Sequence, residues 1–388
     1  MSFLFLALAA EALPQPDNYG PRPARGALSL AYDAEHGGQP ENEAIERWLA
    51  RHPTAPQAER AMLWHRLCLD YGVLVGGERR VRACRQSVDI SGDSEDENDL
   101  SQAEAFRHEP PIRATGDVTA PLSRSEEGVL SIQVAANGQT SSWLVDTGAE
   151  ITTVPESTAA KLGVRFEQGQ ARVGTITAIQ VDGRLGMIDK LTLGSASVEH
   201  VPVLVLPDAM LKLRHDRVIP GILGLPILAA FHRATWLDHG STLKLGGAAA
   251  AIGSGRTTTA VRIYWHEDGL GVPLSTPLGM RGVQLDTGSN ATSLTISGLA
   301  LVSPAQRAAA RDETRIHAGA GGAVSAVERT LPRLDYSLAG APLRAGDVTI
   351  NRGEHGAGSI GNDAIVQLDL LAIDFDTMTM RTQAGEIE

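Results

Sequence analysis

Two spacings of apolar side chains divide the chain. Between residues 40 and 92 they recur at three and four positions: Ile45, Trp48 and Leu49 in ENEAIERWLARH; Leu63, Leu67, Cys68 and Tyr71 in APQAERAMLWHRLCLDYG; Val81, Cys84 and Val88 in GGERRVRACRQSV. Each set falls on one face of a helix, and Gly76 and Gly77 separate the last two helices into a hairpin, so residues 40–92 are predicted as a small α-helical N-terminal domain. From residue 125 onward the alternation shortens to that of strands, as in EGVLSIQV and DGLGVPL, each leading to a second apolar run, WLV and VQL. The prediction is a mainly β body over 125–250 and 257–388. An apolar run at residues 3–10, FLFLALAA, resembles the core of a signal peptide, and small residues at Ala7, Ala9, Ala10 and Ala12 offer cleavage positions, although no Lys or Arg precedes it. Residues 1–20 are therefore expected to be a signal-like segment.

The body is written twice. Asp146, Thr147 and Gly148 return 140 positions later as Asp286, Thr287 and Gly288. Each triplet ends an apolar run and is followed, 78 and 75 residues after its aspartate, by an apolar glycine element: GILGLPIL with Gly224, and GSIGNDAI with Gly361. Closing strands come next, with Asp238 in TWLDHG and Asp374 in AIDFD. The order of strand, acidic turn, variable middle, glycine element and closing strand describes a duplicated unit.

A carboxylate on a tight turn after a buried strand is held in place, and glycine beside it lets other backbone approach while supplying N–H donors. Two such carboxylates in contact cannot both ionise, so the pair keeps one proton. The ionised member can draw a proton from a water between them, and the protonated member can donate to a substrate carbonyl. The hydroxyls of Thr147 and Thr287 suit hydrogen bonds across the centre that fix one turn against the other.

LVDTGA with GILG, and QLDTGS with GSIG, resemble the aspartic proteases, and the short units look more like the retropepsin type than the longer pepsin lobes. The resemblance spans about residues 125–385 and implies a bilobal acid-protease β-barrel fold. It further implies Asp146 and Asp286 as the catalytic dyad, sharing one proton as is established for that family, with Thr147, Gly148, Thr287 and Gly288 supporting them. Ile222, Leu223 and Gly224, and Ser359, Ile360 and Gly361, would pack beneath the aspartate loops; Ser359 stands where the family has a larger apolar residue, so looser packing is expected there. The family also needs a flap over its substrate. VGTITAIQVDGRLGMI offers a hairpin turning at Asp182 and Gly183, and IHAGAGGAVSAV a mobile loop at Gly319, Gly321 and Gly322.

The function implied is aspartic-type endopeptidase activity on a peptide or protein substrate, in a monomer whose two lobes share one site, with no cofactor and no metal. The alternative is a catalytically silent protease-like binding or inhibitor module, against which both intact triplets weigh. A net charge of −12 argues against nucleic acid, and no apolar stretch reaches the length of a membrane span. Residues 93–124 take in most of the acidic run SGDSEDENDLSQ, which begins at Ser91, and read as a solvated, Pro-containing linker. Cys68 and Cys84, the only cysteines, face each other across the predicted helical hairpin. A disulfide there would indicate a periplasmic or secreted protein and two free thiols would fit a cytoplasmic one. Pro155, Glu156 and Ser157 begin a short helix ended by Gly163, and Ser303 caps another with Pro304 at its first position. There is no Gly-x-Ser-x-Gly elbow, His-Glu-x-x-His pair or Walker loop. The glycosylation triplet Asn290, Ala291, Thr292 is read as incidental.

Overall fold

The computed structural model describes residues 23, 26–37, 39–74, 76–92, 94–173, 181–212, 218–247, 260–266, 269–319, 322–351 and 356–385. The signal-like segment at 1–20 lies outside them. The fold is mainly β, with five helices in front: α1 (Ala27–Gly37), α2 (Gln39–Arg51), α3 (Gln57–Leu74), α4 (Gly77–Ser91) and α5 (Ser94–Ala105).

The periodic apolar residues of the helices make one core. Ile45, Leu63, Leu67, Cys68, Tyr71, Val81 and Cys84 are all buried in it, while Trp48 packs at its edge. Cys68 and Cys84 are joined by a disulfide that ties α3 to α4. Gly92 ends α4 in the left-handed region (φ 66°), where its N–H reaches Val88 O.

The acidic stretch expected to be a solvated linker is instead the helix α5, followed by the strands Arg113–Thr115 and Val118–Pro121 of the β body. Its charges explain the difference. Asp96 is buried and accepts from Ser87 Oγ at 2.9 Å and from Ser91, with His65 Nδ1 at 2.7 Å. Asp96 is therefore an anchor between α5 and the two preceding helices, and a run of like charge in sequence is split between buried and exposed faces once wound. α5 also docks on the body. Phe106 at its end is buried with Leu185, Leu204 and Ile222, and Arg165 pairs with Glu109 at 2.7 Å.

The body repeats one construction. In the first half the strand Gln139–Asp146 pairs antiparallel with Leu130–Ala136 and parallel with Ile222–Gly224, which places Gly224 opposite Asp146. In the second, Gly279–Leu285 pairs antiparallel with Gly269–Thr276 and parallel with Gly358–Ile360, with Leu285 opposite Ile360. Trp143 and Val145, like Val283 and Leu285, are buried, as the runs WLV and VQL require. The two constructions belong to a nine-stranded and an eight-stranded sheet, and a six-stranded sheet is built from both halves. In that third sheet Arg233–Leu237 runs antiparallel to Leu368–Asp374, and Arg233 Nε donates to Asp374 Oδ2 at 2.7 Å. A single apolar core runs through both halves.

The hairpin expected to turn at Asp182 and Gly183 does not turn there. Both lie in the strand Val181–Leu193, paired with Arg172 and Ala171 of Arg165–Val173, and residues 174–180 lie outside the described ones. Space explains this glycine: a Cβ on Gly183 would come within 2.4 Å of a Leu204 methyl. The second hairpin closes with Gly319 opposite Gly322, and Gly321 lies outside the described residues. Both short helices form as expected. Gly163 closes Glu156–Leu162 at φ 67°, and Ser303 caps Pro304–Ala308 through a capping box with Gln306.

Candidate active site

Asp146 ends its strand and Asp286 directly follows the other, so the sheet registers bring both to the line where the halves meet. Their threonines are fully buried and lock the turns together. Thr287 Oγ1 accepts from Thr147 N at 3.0 Å and donates to Val145 O at 2.7 Å. Thr147 Oγ1 accepts from Thr287 N at 3.1 Å and donates to Leu285 O. Each hydroxyl thus satisfies a buried donor and a buried acceptor of the opposite half.

Within this lock the carboxyl groups are within hydrogen-bonding reach of each other. Gly148 N donates to Asp146 Oδ1 at 2.8 Å; Gly288 N and Ser289 N donate to Asp286 Oδ1 at 3.0 and 3.1 Å. The turn glycines lie against the opposing carboxyl: a Cβ on Gly288 would come within 2.4 Å of Asp146 Cγ, and one on Gly148 within 2.9 Å of Asp286 Oδ1. Neither glycine has a positive φ. It is the partner's carboxyl that demands glycine here, not backbone strain.

Both aspartates are partly exposed, so the pair opens to solvent on one side while protein crowds the others. Desolvation on those sides, then the charge of Asp286, push the Asp146 carboxyl well above the usual carboxylate range. Desolvation also raises Asp286, opposed by the N–H groups of Ser289 and Gly288 and by the hydrogen bond from Asp146. Two carboxyls so placed resist ionising together, which favours a single proton shared between them.

Residues 132–227 match the family model of aspartyl proteases. The match supports an aspartyl protease family. The aspartyl protease match takes in the Asp146 turn and the glycine element at Gly224, and stops short of the second triplet. No curated protein matches the chain.

Around the two turns, all six residues singled out in the sequence converge: Asp146, Thr147, Gly148, Asp286, Thr287 and Gly288. The glycine elements lie directly beneath. A Cβ on Gly224 would meet Ala149 O at 2.8 Å, and one on Gly361 would meet Ala291 N at 2.6 Å. Ser359, expected to loosen the second element, has its Oγ 3.1 Å from Ser293 Oγ, a polar contact in place of an apolar one. Two contributors were not anticipated: the N–H of Ser289, and Asn362, whose Nδ2 donates to Thr287 O at 2.7 Å. The signal for Asn362 was the divergence of GND from GLP after otherwise matching glycine elements. Asp238 and Asp374, which mark matching closing strands, are not part of the site; Asp374 pairs with Arg233 and Asp238 takes a left-handed turn conformation.

Among the described residues no group of three or more His, Cys, Asp or Glu is placed to hold a metal ion, and no helix is long and apolar enough to cross a membrane. A cavity of about 480 Å3 lies between the helices and the body, bordered by Phe106, Ile151, Trp265 and Phe375; neither aspartate lines it.

Proposed function

We propose that the protein is an aspartic endopeptidase in which Asp146 and Asp286 act together on a single water. The observation that carries this reading is the meeting of both carboxyl groups inside the reciprocal Thr147 and Thr287 lock. The ionised carboxylate takes a proton from the water as its oxygen attacks the peptide carbonyl carbon, and the protonated carboxyl donates to the carbonyl oxygen. The resulting tetrahedral diol collapses with cleavage of the C–N bond. The amine leaves with a proton from the dyad while a diol hydroxyl gives its proton back to the dyad, so the elements of one water are divided between the products and the enzyme ends as it began.

Both aspartates come from one chain, which supports a monomeric enzyme with a peptide or protein substrate and no cofactor. A silent binding or inhibitor module would need neither the paired carboxyls nor the space kept for them by two glycines. Export to a periplasm or the cell exterior is part of the proposal and is supported by the Cys68 and Cys84 disulfide. The decisive experiment is incubation of the full chain with a diverse peptide library, with cleavage sites mapped by mass spectrometry. Cuts at internal peptide bonds that vanish in Asp146→Asn and Asp286→Asn support the reading; a library left intact by folded protein across the acidic to neutral range sinks it.

A further inference from the structure

One layer out from the carboxyls the two halves cease to match. The residue after each buried glycine is Leu225 in the first half and Asn362 in the second. Both main chains close on their own turns in the same way: Leu225 N reaches Ala149 O at 2.9 Å, and Asn362 N reaches Ser289 O at 2.9 Å. Their side chains differ. Leu225 has no polar atom to offer, whereas Asn362 donates Nδ2 to Thr287 O at 2.7 Å. A carbonyl oxygen can only accept, so the amide nitrogen must be the atom facing it.

Thr287 C=O and Gly288 N–H are two ends of one peptide unit. The N–H end donates to Asp286 Oδ1 at 3.0 Å. A bond accepted at the carbonyl polarises the unit and strengthens donation from its N–H. Asp286 gains a further N–H from Ser289 at 3.1 Å. The contact is kept at a cost: Asn362 is fully buried, and its Oδ1 has no hydrogen-bond partner among the described residues. A leucine, as at 225, would leave no such atom. The other titratable groups packed here are Asp363, which accepts from Thr292 Oγ1 at 2.8 Å, and the Tyr336 phenol near it.

We infer that Asn362 is a positioning residue that divides the roles within the carboxyl pair: acting through the Thr287 and Gly288 peptide, it favours charge on Asp286 and leaves the shared proton on Asp146. Combined with the hydrolytic reading proposed above, on which this consequence rests, Asp286 is the base that activates water and Asp146 the acid that protonates the carbonyl. The donors agree with this division, since Asp286 Oδ1 accepts from both Gly288 N and Ser289 N while Asp146 Oδ1 accepts from Gly148 N.

The test is a titration of the aspartate carboxyl 13C signals in the full chain, read beside the pH dependence of kcat on a cleaved peptide. In the unmodified protein Asp286 is expected to ionise first. Asn362→Leu, which copies the first half, should raise the Asp286 midpoint by about one pH unit and carry the acid limb of kcat with it, leaving KM within about twofold. Asn362→Asp keeps the shape and can donate only when protonated, so it should match the original protein at low pH and depart from it as that carboxyl ionises. Midpoints unchanged in folded Asn362→Leu, or in Asn362→Asp should the leucine variant fail to fold, would overturn the assignment, as would ionisation of Asp146 first in the unmodified chain. The carboxyl titration needs no turnover, so an enzyme that cleaves nothing would count against the peptidase reading and leave the effect of Asn362 measurable.

Discussion

The two halves are alike where they touch each other and unlike where each rests on its own support. Across the centre, Thr147 and Thr287 trade the same pair of hydrogen bonds, and Gly148 and Gly288 leave room for the opposite carboxyl. Behind the turns, Ala149 and Leu225 in one half stand where Ser289 and Asn362 stand in the other. A contact that spans the pseudo-symmetric centre needs both members in the same form, because either change breaks two bonds at once. Contacts within a half are free to diverge, and in an acid and base pair divergence is useful because the two carboxyls must hold different protonation states.

The largest expected effect tests the shared part. Asp146→Asn and Asp286→Asn should each lower kcat/KM by about 10³-fold or more, the scale of a lost acid or base in a proton-transfer step, with the melting temperature held or raised. Near-equal losses are expected of groups that work as a unit. A variant that keeps more than about a tenth of the original rate would remove its aspartate from the chemistry.

Next comes the room kept by the glycines, where the halves should differ in degree. A Cβ on Gly288 falls within 2.4 Å of the opposing carboxyl and one on Gly148 within 2.9 Å. Gly288→Ala should therefore cost more activity than Gly148→Ala, with both folded to the same secondary structure by circular dichroism. The reverse ranking in kcat would show that the turns relax by routes the static spacing does not capture.

Much of this was legible in the sequence because the cues were periodic or repeated. The helical spacing of Leu63, Leu67, Cys68 and Tyr71 and the doubled Asp-Thr-Gly triplets translate directly into a buried face and a paired turn. What failed to read was set by tertiary partners. Asp96 looks like one charge in a solvated acidic run until His65, Ser87 and Ser91 close around it. Gly183 after an aspartate carries a turn signal, yet its place in a strand is decided by Leu204 and Leu206 beneath it. Asn362 was visible only as a mismatch between two copies, and its contact with Thr287 O depends on a register that a single chain does not announce.

The threonine lock gives a smaller and more even effect. Thr147→Val would strand Thr287 N–H and Leu285 C=O, and Thr287→Val would strand Thr147 N–H and Val145 C=O. At about 1–3 kcal/mol for each buried group left unpaired, either variant should lose about 2–6 kcal/mol in urea unfolding. The two losses should agree within about 1 kcal/mol if the lock is as symmetric as its bonds, and because the two hydroxyls make four distinct bonds, a double variant that departs from the sum of the singles would measure the coupling between the turns. A gap of several kcal/mol between the single variants would place the burden of the interface on one half.

The smallest effect concerns proton linkage and returns to the asymmetry. Both aspartates titrate above the usual carboxylate range in the folded molecule, Asp146 at about 8. Between the unfolded value near 4 and those raised values the folded state binds more protons than the unfolded chain, so this pair's contribution to stability falls as pH rises through the window. Other groups add their own slopes, and the difference between variants isolates the pair. Urea midpoints from about pH 5 to about pH 8 should fall less steeply in Asp146→Asn than in the unmodified protein, and Asp286→Asn should flatten the curve less, since its carboxyl is the one stabilised as an anion by Ser289 and Gly288. Parallel profiles for all three proteins would mean that the carboxyls share no proton in the fold, and would remove the electrostatic basis for assigning them different roles.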